Sequence, residues 1–139
     1  LNILYIKLSN ARKYYTHKIT KEITDNYDII ACETLNTKKM IMHKENHLSK
    51  KINDASFSEI LRQLEYKVKE KGKYFYKIDP YYPSSQTCSV CDNIDKKYKN
   101  IKERIYKCKC CRNTLDRDLN ASINIMFEGL KLYMSKIYI

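Results

Sequence analysis

The chain has 139 residues, 27 lysines and arginines against 16 aspartates and glutamates, and a net charge of +11. That is one domain's worth of sequence. Apolar residues make up 43%, enough for a core and against a disordered chain. No apolar run approaches the ~20 residues of a membrane span. Lys7, Asn10 and Arg12 interrupt the first stretch before a signal sequence could form. A cytoplasmic or nucleoid-associated location is therefore expected. With only two glycines, Gly72 and Gly129, a Gly-rich phosphate loop is nearly excluded. The basic balance points to a polyanion, nucleic acid first, although 22 of the 27 cations are lysines, as AT-rich coding also produces.

Residues 3–26 read as a helix, with Leu4, Leu8, Ala11, Tyr15, Ile19 and Ile23 recurring every three or four positions. Asp28–Glu33 is too short for a helix and suits a buried strand. Residues 34–55 are polar and lysine-rich, and read as loop with a short helix at most. His43 and His47 lie there, read as solvated. Ser56-Phe57-Ser58-Glu59 is a capping box. It opens a helix carrying Phe57, Ile60, Leu61, Leu64 and Val68, closed by Gly72. Lys73–Asp79 alternates as a strand, with Tyr74, Tyr76 and Ile78 on one side as core. Pro80 and Pro83 end it. A last helix begins near Asp116–Asp118 and carries Leu119, Ile123, Met126, Leu130 and Tyr133. The alternation implies an α/β layer. Two strands are too few for an independent sheet, so further strands are expected before Leu1.

The cysteines carry the sharpest signal. Cys88 and Cys91 form one C-x2-C pair, Cys108 and Cys111 another, sixteen residues apart. This is zinc-ribbon spacing. Each pair sits on a tight knuckle, and two knuckles complete a tetrahedral four-thiolate shell with no open position for catalysis. Disulfides are disfavoured, because nothing in the chain is secretory. Cys110 is a spare thiol. Asp92 and Arg112 follow the two knuckles where Gly is usual, and strain is expected at Arg112.

Glu33 ends a buried strand, where a carboxylate is costly unless it is paired or binds a cation. Asp116 and Asp118 open the last helix, where acids commonly cap. Together these acids suggest a two-metal phosphodiester site, with Mg2+ taking the hard oxygen ligands. Tyr81 and Tyr82, beside the ribbon, suit stacking on unpaired bases.

Three blocks stand in order: Ile29-Ile30-Ala31-Cys32-Glu33-Thr34-Leu35, Pro83-Ser84-Ser85-Gln86-Thr87-Cys88-Ser89-Val90-Cys91, and Asp116-Arg117-Asp118-Leu119-Asn120-Ala121. Together they resemble the TnpB/OrfB transposon-associated family over nearly the whole chain. The resemblance implies a partial RuvC-like, RNase H-like α/β fold with an inserted zinc ribbon. Its parts would be the middle of the nuclease domain over 1–83, the ribbon over 84–114, and the final nuclease motif with its helix over 115–139. It implies an RNA-guided DNA endonuclease with an Asp, Glu, Asp triad, served by Mg2+ and supported by structural Zn2+. DNA and a guide RNA are its implied partners. Glu33 would be the middle acid and Asp118 the last, with Asp116 a neighbour. Cys88, Cys91, Cys108 and Cys111 would hold the zinc, and Arg104, Arg117 and Lys18 would contact nucleic acid. The family's first aspartate, in a Gly-Ile-Asp-Leu-Gly-like segment, has no counterpart in these residues. The chain alone is therefore expected not to cut DNA efficiently. A stand-alone zinc-ribbon nucleic-acid-binding regulator, or a decayed remnant, is the alternative.

Overall fold

The computed structural model describes residues 2–34 and 57–138. The expected capping residue Ser56, the lysine-rich stretch 35–55 and both His43 and His47 lie outside the described residues. In order, the elements are α1 (Asn2–Asn26), β1 (Ile29–Glu33), α2 (Phe57–Glu70), β2 (Tyr74–Ile78), a 3-10 turn (Lys96–Lys99), β3 (Ile105–Lys107), β4 (Thr114–Asp116) and α3 (Arg117–Ile137). The predicted order of helices and strands is therefore present. The chain divides into two compact units. The first comprises residues 1–29 and 35–75, the second residues 30–34 and 76–139.

The first unit is built on α1 and α2. The face that α1 buries is not the apolar one: Leu4 is 70% exposed, and Tyr15 and Ile19 are exposed too. Thr16, Thr20 and Thr24 are buried instead, at the same four-residue spacing one position further along. The Thr20 hydroxyl meets the polar side of α2, and Lys71, just past its end, donates to the Thr24 hydroxyl at 3.0 Å. Thr20 Oγ1 lies 2.8 Å from Gln63 Oε1, and Lys67 Nζ donates to Thr20 Oγ1 at 2.7 Å and to the His17 carbonyl at 2.9 Å. Leu64 and Val68 supply the apolar part of the core. Small β-branched side chains let the backbones approach, and the buried Thr20 hydroxyl and Gln63 side chain are both hydrogen-bonded. Gly72, at φ +64, reverses the chain after α2 in the left-handed region that favours glycine. The Tyr74 amide then donates to the Asp28 carbonyl at 2.9 Å.

In the second unit, β1 and β2 end side by side, with the Thr34 hydroxyl donating to the Ile78 carbonyl at 2.7 Å. Tyr76 and Ile78 are buried, but Tyr74 is 46% exposed, so only part of the expected tyrosine face is core. Gly129 of α3 lies against Ala31 of β1, where a Cβ on the glycine would stand 2.3 Å from the Ala31 Cβ. Only a glycine allows the helix this close to the strand. The buried face of α3 is Asn120, Ala121, Asn124 and Gly129, whereas Leu119 and Met126, expected on the apolar face, are exposed. Among the described residues, no helix is long and apolar enough to cross a membrane.

Candidate metal centre and nucleic-acid interface

The ribbon between β2 and α3 is two knuckles facing each other. In the first, the Cys88 amide donates to the Asn93 carbonyl at 2.9 Å and the Asp92 amide to the Cys88 carbonyl at 3.0 Å. In the second, the Cys108 amide donates to the Asn113 carbonyl at 2.8 Å, and β3 and β4 pair antiparallel with Tyr106 opposite Leu115. Asp92 (φ 58) and Arg112 (φ 62) are the left-handed residues that close the knuckles. The strain expected at Arg112 is present.

The sulfurs of Cys88, Cys91, Cys108 and Cys111 all lie within 4.8 Å of one another. Cys88 to Cys111 and Cys91 to Cys108 are each 3.6 Å. A tetrahedron with ~2.3 Å arms has edges of about 3.8 Å, so the spacing and the all-sulfur donor set fit zinc. The cluster suggests a zinc site. Cys110 stays outside it and is exposed. The Cys111 backbone N–H, opposed by burial and helped by the Cys110 N–H, lowers the Cys108 thiol, whereas against the Asn113 N–H, burial and the neighbouring sulfurs raise the Cys111 thiol.

Two tyrosines fill the space that a ribbon this short cannot fill with aliphatic side chains. The rings of Tyr98 and Tyr106 pack 4.2 Å apart beside Cys88 and Cys108. Their hydroxyls are locked to ribbon backbone: Tyr98 donates to the Lys107 carbonyl and accepts from its amide, and Tyr106 reaches the Gln86 and Asn93 carbonyls. Burial pushes the Tyr106 phenol well above its ordinary value, with the neighbouring Cys88 adding to the effect.

The acids stand at the ends of elements. Glu33 closes β1, is half-buried, and accepts from the Ser84 hydroxyl at 2.6 Å. Asp116 is spent as the N-cap of α3, accepting from the Asp118 and Leu119 amides at 2.8 and 3.0 Å. Asp118, 71% exposed, has its two oxygens beside Arg117 (3.5 Å) and Arg104 (3.7 Å), and the capping Asp116 is exposed as well. Glu33 and Asp118 share the second unit. Of the three predicted cations, Arg104 and Lys18 are exposed, and Lys18 belongs to the first unit. Arg117 is only 12% exposed, and its Nε is bound to the Tyr98 carbonyl at 3.0 Å.

Two features leave little trace in the sequence. One is a hydrogen-bond path. The Ser89 amide, inside the first knuckle, donates to Asn120 Oδ1. The Asn120 and Asn124 amides both donate to the Thr87 carbonyl, and Asn124 also to the Ser84 carbonyl. Two asparagines four apart on one helix are the available hint. The other is a cavity of about 450 Å³ on the ribbon, lined by Lys97, Arg104, Lys107 and Lys109 with Glu103 and Tyr98. Residues 95–112 hold eight cations and two acids, a local excess that the overall charge hides.

Comparison with known proteins points the same way. Residues 57–125 match the family described as Cas12f1-like, TNB domain. The chain is 30% identical to the CRISPR-associated endodeoxyribonuclease Cas12f1 of Sulfoacidibacillus thermotolerans, over 89% of this chain and 29% of that protein. It is also 30% identical to TnpB-like protein L79 of Acanthamoeba polyphaga mimivirus, over 90% of this chain and 24% of the relative. A chain in the cryo-EM structure of a Cas12f1–sgRNA–target DNA complex resembles it with a TM-score of 0.64 and 25% identity, over 89% of this chain and 36% of that one. The chain thus spans about a third or less of the length of the curated relatives it matches.

Proposed function

Because the chain belongs to the TnpB/Cas12f-like family, related to RNA-guided DNA endonucleases, we propose that it carries the ribbon and two acids of such a nuclease. In this reading the four thiolates hold one structural Zn2+. Glu33 and Asp118 are the second and third carboxylates of a RuvC-like Mg2+ site, and DNA with a guide RNA are the partners. The observation that carries it is the coincidence, in one compact unit, of the four-sulfur cluster, a strand-end glutamate and an exposed helix-start aspartate.

The chemistry divides by donor. Thiolates take zinc, which when bound ties the two knuckles together. Carboxylates take magnesium, whose role when bound is to activate water and stabilise a leaving oxygen in phosphodiester hydrolysis. Asp116 fixes the start of α3 and so the place of Asp118. The ribbon cations Lys97, Arg104, Lys107 and Lys109 give a phosphate backbone several partners around one cavity. Arg117, held to Tyr98, serves mainly to keep Asp118 beside the ribbon. No Gly-Ile-Asp-Leu-Gly-like segment occurs among the 139 residues, so they are expected to bind DNA without cutting it efficiently.

Fluorescence anisotropy with a labelled single-stranded oligonucleotide tests the interface. Arg104→Ala with Lys107→Ala should weaken binding and flatten its salt dependence, by about 0.7 in log–log slope for each phosphate no longer neutralised. Unchanged affinity and slope in the double variant would refute the ribbon as the binding surface.

A further inference from the structure

Ser84 has an environment unlike that of an ordinary loop serine. It is 5% exposed. Its amide donates to the Tyr82 carbonyl at 2.8 Å, and its own carbonyl accepts from Asn124 at 2.8 Å. Both backbone groups are therefore fixed, one of them by α3. Another hydroxyl residue of the motif, Thr87, turns back on local backbone, donating to the Pro83 carbonyl at 2.9 Å. The Ser84 hydroxyl instead crosses to β1 and donates to Glu33 Oε1 at 2.6 Å, a short hydrogen bond.

A serine has one hydroxyl proton to give. Given to Oε1, it selects one side-chain rotamer. It also occupies one carboxylate oxygen and leaves the other available. A glutamate at a strand end has several rotamers of similar energy, and a cation site needs one of them held in advance. We propose that Ser84 is a positioning residue for Glu33: anchored by Asn124, it holds the carboxylate in one rotamer and leaves Oε2 to a divalent cation. This rests on the reading of Glu33 as a cation ligand.

The test uses the zinc-loaded full chain labelled with 13C at the glutamate side-chain carboxyls, observed at neutral pH, with Mn2+ as the probe. Glu33→Gln identifies the Glu33 resonance. In Ser84→Ala that resonance should move, and several-fold more Mn2+ should be needed to broaden it. Ser84→Thr, which restores the hydroxyl, should recover both. An unaltered Co2+-ribbon absorption spectrum verifies that each variant is folded, and Ser84→Cys, a weaker donor of similar size, replaces the alanine variant if that one is not. A resonance and an Mn2+ response both unchanged in Ser84→Ala would overturn the positioning role. A Glu33 resonance that moves in Ser84→Ala, yet is never broadened by Mn2+ in the parent chain, would leave the hydrogen bond standing and overturn the cation reading on which the role depends.

Discussion

Arg112 sits at φ 62 directly after the ligand-type Cys111, a conformation that costs an L-residue with a bulky side chain roughly 1–2 kcal/mol. Asp92 makes the same turn in the first knuckle at lower cost, because a short polar side chain tolerates it. Arg112→Gly should therefore stabilise the zinc-loaded chain by about 1 kcal/mol, part of the relief being offset by the freer unfolded glycine. Asp92→Gly should gain less. Urea unfolding of the two variants measures both. Gly129 is the opposite case. Any side chain there meets Ala31 at 2.3 Å, so Gly129→Ala should cost about 1–3 kcal/mol by forcing α3 away from β1.

At the scale of elements, the α1–α2 pair is held by polar contacts at its centre. Thr20 is fully buried and joins Gln63 and Lys67 at one point. Thr20→Val keeps the shape but takes the donor from Gln63 Oε1 and leaves Lys67 with the His17 carbonyl, and should cost about 1–3 kcal/mol in thermal unfolding. The rim of the pair carries its pH dependence. Hydrogen bonds from Lys21 and then Lys71 hold the Asp25 carboxyl down to about 2, against an ordinary 3.8. Arg62 and then Gln63 hold the Glu59 carboxyl down to about 2, against 4.5. Carboxyls lowered in the folded state stabilise it fully above their unfolded values, and that contribution is lost as pH falls toward 2. Both side chains are more than a third exposed, so the loss between about pH 4.5 and 2 should be shallow and should shrink with salt. Asp25→Asn with Glu59→Gln should flatten circular-dichroism melts over that window.

Across the second unit, hydrogen bonds run from Ser89 in the first knuckle through Asn120, Thr87, Asn124 and Ser84 to Glu33. Stability of the ribbon and placement of the acid are thus one problem. The ribbon itself was legible in the sequence, because two C-x2-C pairs at that separation have few geometric solutions. The places of Glu33 at a strand end and of Asp116 and Asp118 at a helix start were legible, and the structure adds that Asp116 caps the helix through Oδ1. The buried face of α1 was not legible. Its apolar residues and its threonines both recur every three to four positions, and periodicity cannot tell which of two such stripes packs. Nor was Asn120–Asn124, because hydrogen-bond partners far apart in the chain leave no periodic trace. Tyr98 and Tyr106 belong to no periodic pattern, and only their ring packing puts them in the core.

The most direct test of zinc as the support of a nucleic-acid-binding ribbon is one anisotropy titration of labelled single-stranded DNA, run on the purified chain before chelation, after chelation, and after zinc is restored. Saturable binding that is lost on chelation and returns with stoichiometric Zn2+ is the expected result. Binding of equal affinity and equal salt dependence in all three states would contradict it, and would leave the four cysteines without the role assigned to them.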